Sequence, residues 1–454
     1  MGADRRKESM QNKNKVQIMT TTTDYETMIE VKRQPDQAKR ATIASFIGTA
    51  LEYYELYIYA TASALVFSTV FFPDSGAAGL LLALSTYGVA YLARPLGGLL
   101  AGHFGDRLGR RKVLLVILLV MGGATFAIGC LPSYAQIGGW APVLLVLFRI
   151  AQGLSAGGEL ASSCSLTAEH APRGRRGLYT SISATGAIFG YLLATLSFMW
   201  VAALPREDML SWGWRIPFLS SLLLVFVGIY VRWWVKEPEV FLKQEKQSTI
   251  VSIPLFNVLR EQPVDFCRVI FSALQIVVSV IVPVYGLTYA TKVVGIASST
   301  MLEVVALTYF AALVFLPLGG FLSDKIGRKP VLILGNIIAA LSVWLFFWAV
   351  ATANMPMVYL GMFLSFSVGW GLINGVYPIF YSELFSTRFR VTGFAVGLQI
   401  GLILTGFSPL IAQMLSTANN DAWWPVALVS SVCSVIAALT IGVTRETYKA
   451  PLKD

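Results

Sequence analysis

The chain has 454 residues, of which 56% are hydrophobic and only 13% charged, with a mean hydropathy of +0.66 and a formal net charge of +10. Soluble domains carry about 25% charged residues, so this composition excludes a soluble globular protein and points to a multi-span membrane protein. Two histidines and four scattered cysteines (Cys130, Cys164, Cys267, Cys433) exclude a His-rich metal site and a disulfide framework, and neither a metal nor a cofactor is expected.

Residues 1–40 are polar and of mixed charge, without the apolar core of a signal peptide, and read as a disordered cytoplasmic tail. Twelve apolar runs long enough to span a bilayer follow, at 41–67, 79–103, 112–132, 142–167, 177–203, 213–234, 268–291, 299–322, 330–352, 356–381, 391–416 and 422–443. The expected fold is therefore an all-α polytopic membrane protein with twelve transmembrane helices. The longest polar break, 235–267, separates a six-helix bundle over 41–234 from a second over 268–443, and 444–454 form a short cytoplasmic tail. With the N-terminus inside, thirty of the 35 lysines and arginines lie on the inner side. Arg206, Arg215 and Lys292 lie outside, and Arg94 and Arg149 lie within spans. This asymmetry fixes the orientation. The basic charge is thus topology, not nucleic-acid recognition. The expectation is a monomer crossing the plasma (cytoplasmic) membrane many times with both termini cytoplasmic.

The inner loops repeat. GHFGDRLGRRK (102–112) after the second run matches GGFLSDKIGRK (319–329) after the eighth. EHAPRGRRG (169–177) matches ELFSTRFRVTG (383–393), each with Glu seven residues before Arg, and KEPEVF (236–241) is echoed by RETYK (445–449). The offsets, 217, 214 and 209 residues, describe two six-helix halves in parallel. The first loop resembles the signature G-x-x-x-D-R-x-G-R-R/K of the major facilitator superfamily. RPLGG (94–98), RIAQG with GGE (149–159) and WGWRIPF (212–218) are similar to its metabolite:proton symporter branch, which includes carriers of proline and betaine, oxoglutarate, citrate and shikimate. Where that branch carries E-W-F/Y-D-F in its first helix, this chain reads Glu52-Tyr53-Tyr54-Glu55-Leu56. The resemblance implies two pseudo-symmetric six-helix bundles around a central cavity lined by the first, fourth, seventh and tenth helices.

Buried charge marks the candidate site. A carboxylate in mid-membrane costs about 2.5–3.5 kcal/mol on insertion scales, and Glu52 and Glu55 both lie inside the first run. At 1.5 Å per residue, Glu55 lies ~21 Å from the inner end and Arg149 ~10 Å from the outer end of the fourth run, at one level of a ~30 Å core. Arg94 and Glu159 match in the same way nearer the inside. Depth thus pairs Glu55 with Arg149 and Arg94 with Glu159. Glu52 or Glu55 is the expected proton site, with an arginine that binds a substrate anion once the acid is protonated. Arg149 ranks above Arg94 for that role. Tyr53, Tyr59, Gln152, Gln275, Tyr285, Trp370, Asn374, Tyr377 and Gln399 complete the expected substrate site. At the inner ends, Asp106, Arg110 and Glu169 in the first half, and Asp324, Arg328 and Glu383 in the second, resemble gating latches. The resulting expectation is secondary active transport without enzymatic activity: proton-coupled uptake of a small organic acid or zwitterion by alternating access. The alternatives are a proton-coupled exporter of the same fold and, from GLSAG (153–157), a membrane serine hydrolase.

Overall fold

The computed structural model describes residues 42–234 and 254–449, apart from 44, 77, 109, 158–159, 161–163, 165–166, 169–170, 173 and 387–389, and apart from the side chains of 101–115, 224, 231–234 and 254–257. Twelve long helices succeed one another among the described residues: α1 (45–65), α2 (Ala78–Leu108), α3 (Arg110–Cys130), α4 (Trp140–Ser155), α5 (Arg176–Ala202), α6 (Arg206–Tyr230), α7 (Pro263–Val294), α8 (Ser298–Ile326), α9 (Arg328–Ala351), α10 (Met355–Leu384), α11 (Arg390–Ala418) and α12 (Trp424–Gly442). No strand occurs among them. The eight helices from α5 to α12 are each long and apolar enough to cross a bilayer. Large apolar side chains such as Leu223, Phe310, Leu341 and Leu439 face outward, as lipid requires.

The helices fall on the predicted runs to within a few residues, except that α4 runs unbroken only to Ser155 of the predicted 142–167, that α6 starts at Arg206 instead of 213, and that the stretch before the seventh run is helical. α7 starts at Pro263, five residues before its apolar run. A proline suits a helix's first position, and the polar residues that obscured the start pair with each other, Arg268 Nη1 donating to Asp265 Oδ1 at 2.9 Å. The linker also holds a short helix, Pro254–Glu261, anchored by buried Val258.

Close backbone contact decides how the helices cross. α2 packs on α4, and α8 packs on α10 in the same place in the second half. A Cβ on Gly153 would lie 2.2 Å from the Ala90 carbonyl oxygen, and one on Gly157 2.3 Å from that of Arg94. The glycines of GLSAG therefore let two helices touch backbone to backbone, and Ser155 spends its hydroxyl on the Gln152 carbonyl at 2.7 Å within α4. The strand-turn-helix context that a nucleophile elbow needs is missing there. The two halves meet where α5 packs on α8 and α2 packs on α11. At the first seam a Cβ on Gly320 would lie 2.5 Å from the Gly177 carbonyl oxygen. The motif Pro95-Leu96-Gly97-Gly98 of α2 recurs as Pro317-Leu318-Gly319-Gly320 in α8, but Leu316 stands where α2 has Arg94. The repeat keeps the packing and drops the charge.

Candidate functional site

The carboxylates of α1 point to different neighbours. Glu52 faces α2, where Arg94 Nη2 donates to its Oε1 at 3.0 Å, with both side chains buried. The Arg94 guanidinium also lies 4.9 Å from the centre of the Tyr91 ring, one turn earlier on α2. Glu55 faces α3, where Thr125 Oγ1 donates to its Oε2 at 2.6 Å. Gln152 Nε2 donates to the same hydroxyl at 2.6 Å, and Arg149 Nη1 donates to Gln152 Oε1 at 2.8 Å. Arg149 is buried further by its Nη2 bond to the Tyr87 carbonyl at 3.0 Å and by the Tyr59 ring, whose centre lies 3.8 Å away.

Arg94 pairs with Glu52 on α1; Glu159, its expected partner, lies outside the described residues. Arg149 meets Glu55 through Gln152 and Thr125. Both arrangements border one void lined by Glu52, Glu55, Arg94, Arg149 and Gln152.

A second cavity lies between the halves. The first half contributes Tyr53, Tyr91, Arg94 and Tyr191; the second contributes Ser279, Trp370, Asn374, Tyr377 and Thr405. The rings are ordered against one another. Tyr53 meets Tyr191 edge-on at 5.4 Å, and Trp370 stacks on Tyr377 at 6.1 Å. Three buried polar atoms on this lining, Arg94 Nε, Trp370 Nε1 and Thr405 Oγ1, have no hydrogen-bond partner among the described residues. Such groups are costly to bury unmatched, at about 1–3 kcal/mol each. Above the cavity, Tyr57 of α1, Tyr191 of α5 and Tyr309 of α8 join across the halves, with Tyr191 and Tyr309 stacked at 5.5 Å.

Arg94 rather than Arg149 thus faces the space between the halves. Of the other expected substrate residues, Tyr53, Trp370, Asn374 and Tyr377 line that cavity. Gln275 instead receives Asn336 Nδ2 at 2.9 Å and donates to the Tyr381 hydroxyl at 3.0 Å. Tyr285 packs against Tyr289 and Phe347, Tyr59 lies under Arg149, and Gln399 ties the halves by donating to the Gly157 carbonyl at 3.1 Å. Sequence reasoning missed Tyr91, Tyr191, Thr405 and Thr125. Tyr91 was accessible from its spacing, one turn before Arg94, and Thr125 as a rare polar residue in the apolar α3.

The chain matches the family described as Major Facilitator Superfamily over residues 45–402. It belongs to the major facilitator superfamily. It is 34% identical to the shikimate transporter of Escherichia coli (strain K12) over 420 residues, which covers 91% of this chain and 96% of that one. It is 30% identical to the proline/betaine transporter of Salmonella typhimurium, covering 91% of this chain and 85% of the other. Its fold is similar to that of the proton:xylose symporter XylE bound to 6-bromo-6-deoxy-D-glucose, with a TM-score of 0.71 at 19% identity, covering 92% of this chain and 98% of that one. The protein is thus a multi-pass membrane transporter of metabolites with the twelve-helix major facilitator fold, and not an enzyme.

In this superfamily member the two halves are tied by one carboxylate where α8 ends and α5 begins. Asp324, at the end of α8, accepts the backbone N–H groups of Gly177 and Leu178 at the start of α5, both at 2.9 Å. These are donors left open by the first turn of a helix, where negative charge is favoured. Arg328 Nη1 binds Asp324 at 2.7 Å, and its Nε and Nη2 donate to the two oxygens of Glu383 at 3.3 and 3.2 Å. Thr447 Oγ1 donates to Glu383 at 2.6 Å, and Glu446 accepts the first two N–H groups of α9 at 3.0 Å. Of the residues expected to gate in the first half, Asp106 and Arg110 lie at the adjoining ends of α2 and α3, with nothing described of their side chains, and Glu169 lies outside the described residues.

Proposed function

We propose that the protein is a proton-coupled symporter of a small organic acid or zwitterion, with Arg94 as the group that holds the substrate carboxylate and a helix α1 carboxylate as the proton site. The observation that carries this reading is the lining of the cavity between the halves. Arg94 Nε and Trp370 Nε1 lie buried on opposite walls as donors without a partner among the described residues. Two donors and the Thr405 hydroxyl suit a ligand rich in acceptor oxygens. A carboxylate entering a dry cavity needs a cation to offset its desolvation, and the planar guanidinium fits it with paired hydrogen bonds. The rings of Tyr53, Tyr91, Tyr191, Trp370 and Tyr377 suit a cyclic body or a quaternary ammonium. The names of the shikimate and proline/betaine relatives span both kinds.

Glu52 couples the proton to the substrate. While ionised it engages Arg94 at 3.0 Å. Once protonated it holds the guanidinium less strongly, and Arg94 turns its donors to the anion. Glu55 is the second helix α1 carboxylate of the proton site. The lysine and arginine asymmetry supports cytoplasmic termini and halves at 41–234 and 268–443. The test is uptake into proteoliposomes of shikimate, proline and glycine betaine, with and without an inward proton gradient. Accumulation of at least one of them only with the gradient is the expected result; gradient-independent behaviour of all three would remove the reading.

The Asp324 cluster then acts as a latch that keeps the inner ends together. Asp324→Asn halves its acceptor capacity toward α5 and removes its charge. The expected outcome is a longer distance between spin labels on the inner ends of α5 and α8, slower transport, and little loss of folded protein. An unchanged distance distribution would leave the cluster without a gating role.

A further inference from the structure

Thr125 stands where one hydroxyl must serve two protonation states of its neighbour, and the polar groups around it meet both requirements. Its Oγ1 lies 2.6 Å from Glu55 Oε2, 2.6 Å from Gln152 Nε2 and 3.0 Å from the Met121 carbonyl oxygen. A threonine hydroxyl offers one proton and two lone pairs. With Glu55 ionised, the hydroxyl proton goes to Glu55 and one lone pair accepts from Gln152. With Glu55 protonated, the new O–H on Oε2 donates to Thr125, the second lone pair receives it, and the threonine proton swings to the Met121 carbonyl. Every buried group in the relay keeps a partner in both states, and Gln152 and Arg149 need not move. The proton comes from the aqueous side and returns there; no bond between heavy atoms changes.

From this geometry we propose that Thr125 is a positioning residue for proton exchange: its hydroxyl rotates as Glu55 titrates and so holds the Gln152–Arg149 arm fixed throughout the transport cycle. The inference rests on the reading of the helix α1 carboxylates as the proton site. Among the described residues, the charged and titratable groups around Glu55 include Glu52 and Tyr54 on α1, Arg94 on α2 and Arg149 on α4. α3 contributes Thr125 and Gly122, where a Cβ would come within 3.4 Å of Glu55 Oε1, and α6 contributes Val225 beside that glycine. Thr125 is thus the neutral neighbour of Glu55 that can give and receive through a single atom.

The hydroxyl treats the two states of Glu55 unequally. Donation to a carboxylate is charge-assisted and about twice as strong as the neutral bond that replaces it. Removing the hydroxyl therefore penalises the ionised state more. In Thr125→Val, which keeps the shape, protonation of Glu55 should move to higher pH by about 0.5–1 unit. Thr125→Ser should restore the wild-type midpoint. The experiment is an infrared pH titration of the purified, reconstituted protein without substrate. It follows the carbonyl stretch of protonated Glu55, which is assigned by its disappearance in Glu55→Gln. An upward shift in Val that Ser reverses is the expected result. Equal midpoints in Val and wild type would overturn the proposal, as would a Ser variant that behaves like Val. A Glu55 band that does not titrate also overturns it, whereas the symport reading is decided separately by uptake in a proton gradient. Should Val express poorly, Thr125→Cys, a weaker donor and acceptor, is expected to shift the midpoint in the same direction by less; no shift overturns the proposal.

Discussion

Arg94→Ala should lower the affinity for a carboxylate substrate by about ten- to a hundredfold or more, because hydrogen bonds to charged groups contribute about 1.5–3 kcal/mol. The loss has two sources. The alanine variant lacks the guanidinium that faces the cavity, and it leaves Glu52, buried at 3% exposure, without its 3.0 Å partner. An ionised Glu52 would repel the substrate anion, so the variant should bind, if at all, only when that carboxylate is protonated. Arg94→Lys keeps the charge but loses the planar fork, and should recover part of the affinity. Arg149→Ala should act differently. Arg149 is enclosed by Gln152, the Tyr87 carbonyl and the Tyr59 ring, and lines the void beside Glu55 instead of the cavity between the halves. Its removal should lower the yield of folded protein more than the affinity of what folds. Calorimetry with the best acid from the uptake panel separates the two. Normal affinity in Arg94→Ala together with lost affinity in a well-folded Arg149→Ala would reverse the assignment.

Glu52→Gln should uncouple transport. Glutamine keeps the length and can still accept a hydrogen bond from Arg94, so folding should survive. It cannot take up a proton or release Arg94 by doing so. The variant should exchange labelled for unlabelled substrate across a membrane with both sides filled, yet accumulate nothing in a proton gradient, its concentration ratio falling to about one, as linkage requires when binding no longer depends on protonation. Accumulation at the wild-type level would move the coupling role away from Glu52.

Composition and charge made the twelve helices and the repeat legible, because lipid imposes a run length and an inner excess of lysine and arginine that no soluble fold shares. The depth of the charged residues was legible too, since a helix rises by a fixed amount per residue. The neighbour that each helix α1 carboxylate faces was not. Glu52 and Glu55 lie within a turn of each other, and which one faces α2 and which α3 depends on the rotation of α1 about its axis, which glycine contacts such as Gly190 against Ala50 decide. The seventh helix departs from a simple helical wheel for a second reason. A wide turn at Ile281–Tyr285 shifts its phase. Tyr285 packs against Tyr289 and Phe347 and does not line the cavity, while Trp370, Asn374 and Tyr377 of the tenth helix do. Thr125 escaped notice because attention to charge overlooks the neutral groups that charges need.

The central claim is that substrate and proton meet at the Glu52–Arg94 pair, and proton uptake on binding tests it most directly. Substrate binding is measured by calorimetry in two buffers of different ionisation enthalpy, at a pH where Glu52 is ionised in the free protein. The account predicts a net uptake of about one proton per substrate bound in the wild type, and none at the same pH in Glu52→Gln. Binding of a carboxylate substrate by the wild type with no proton uptake would contradict it.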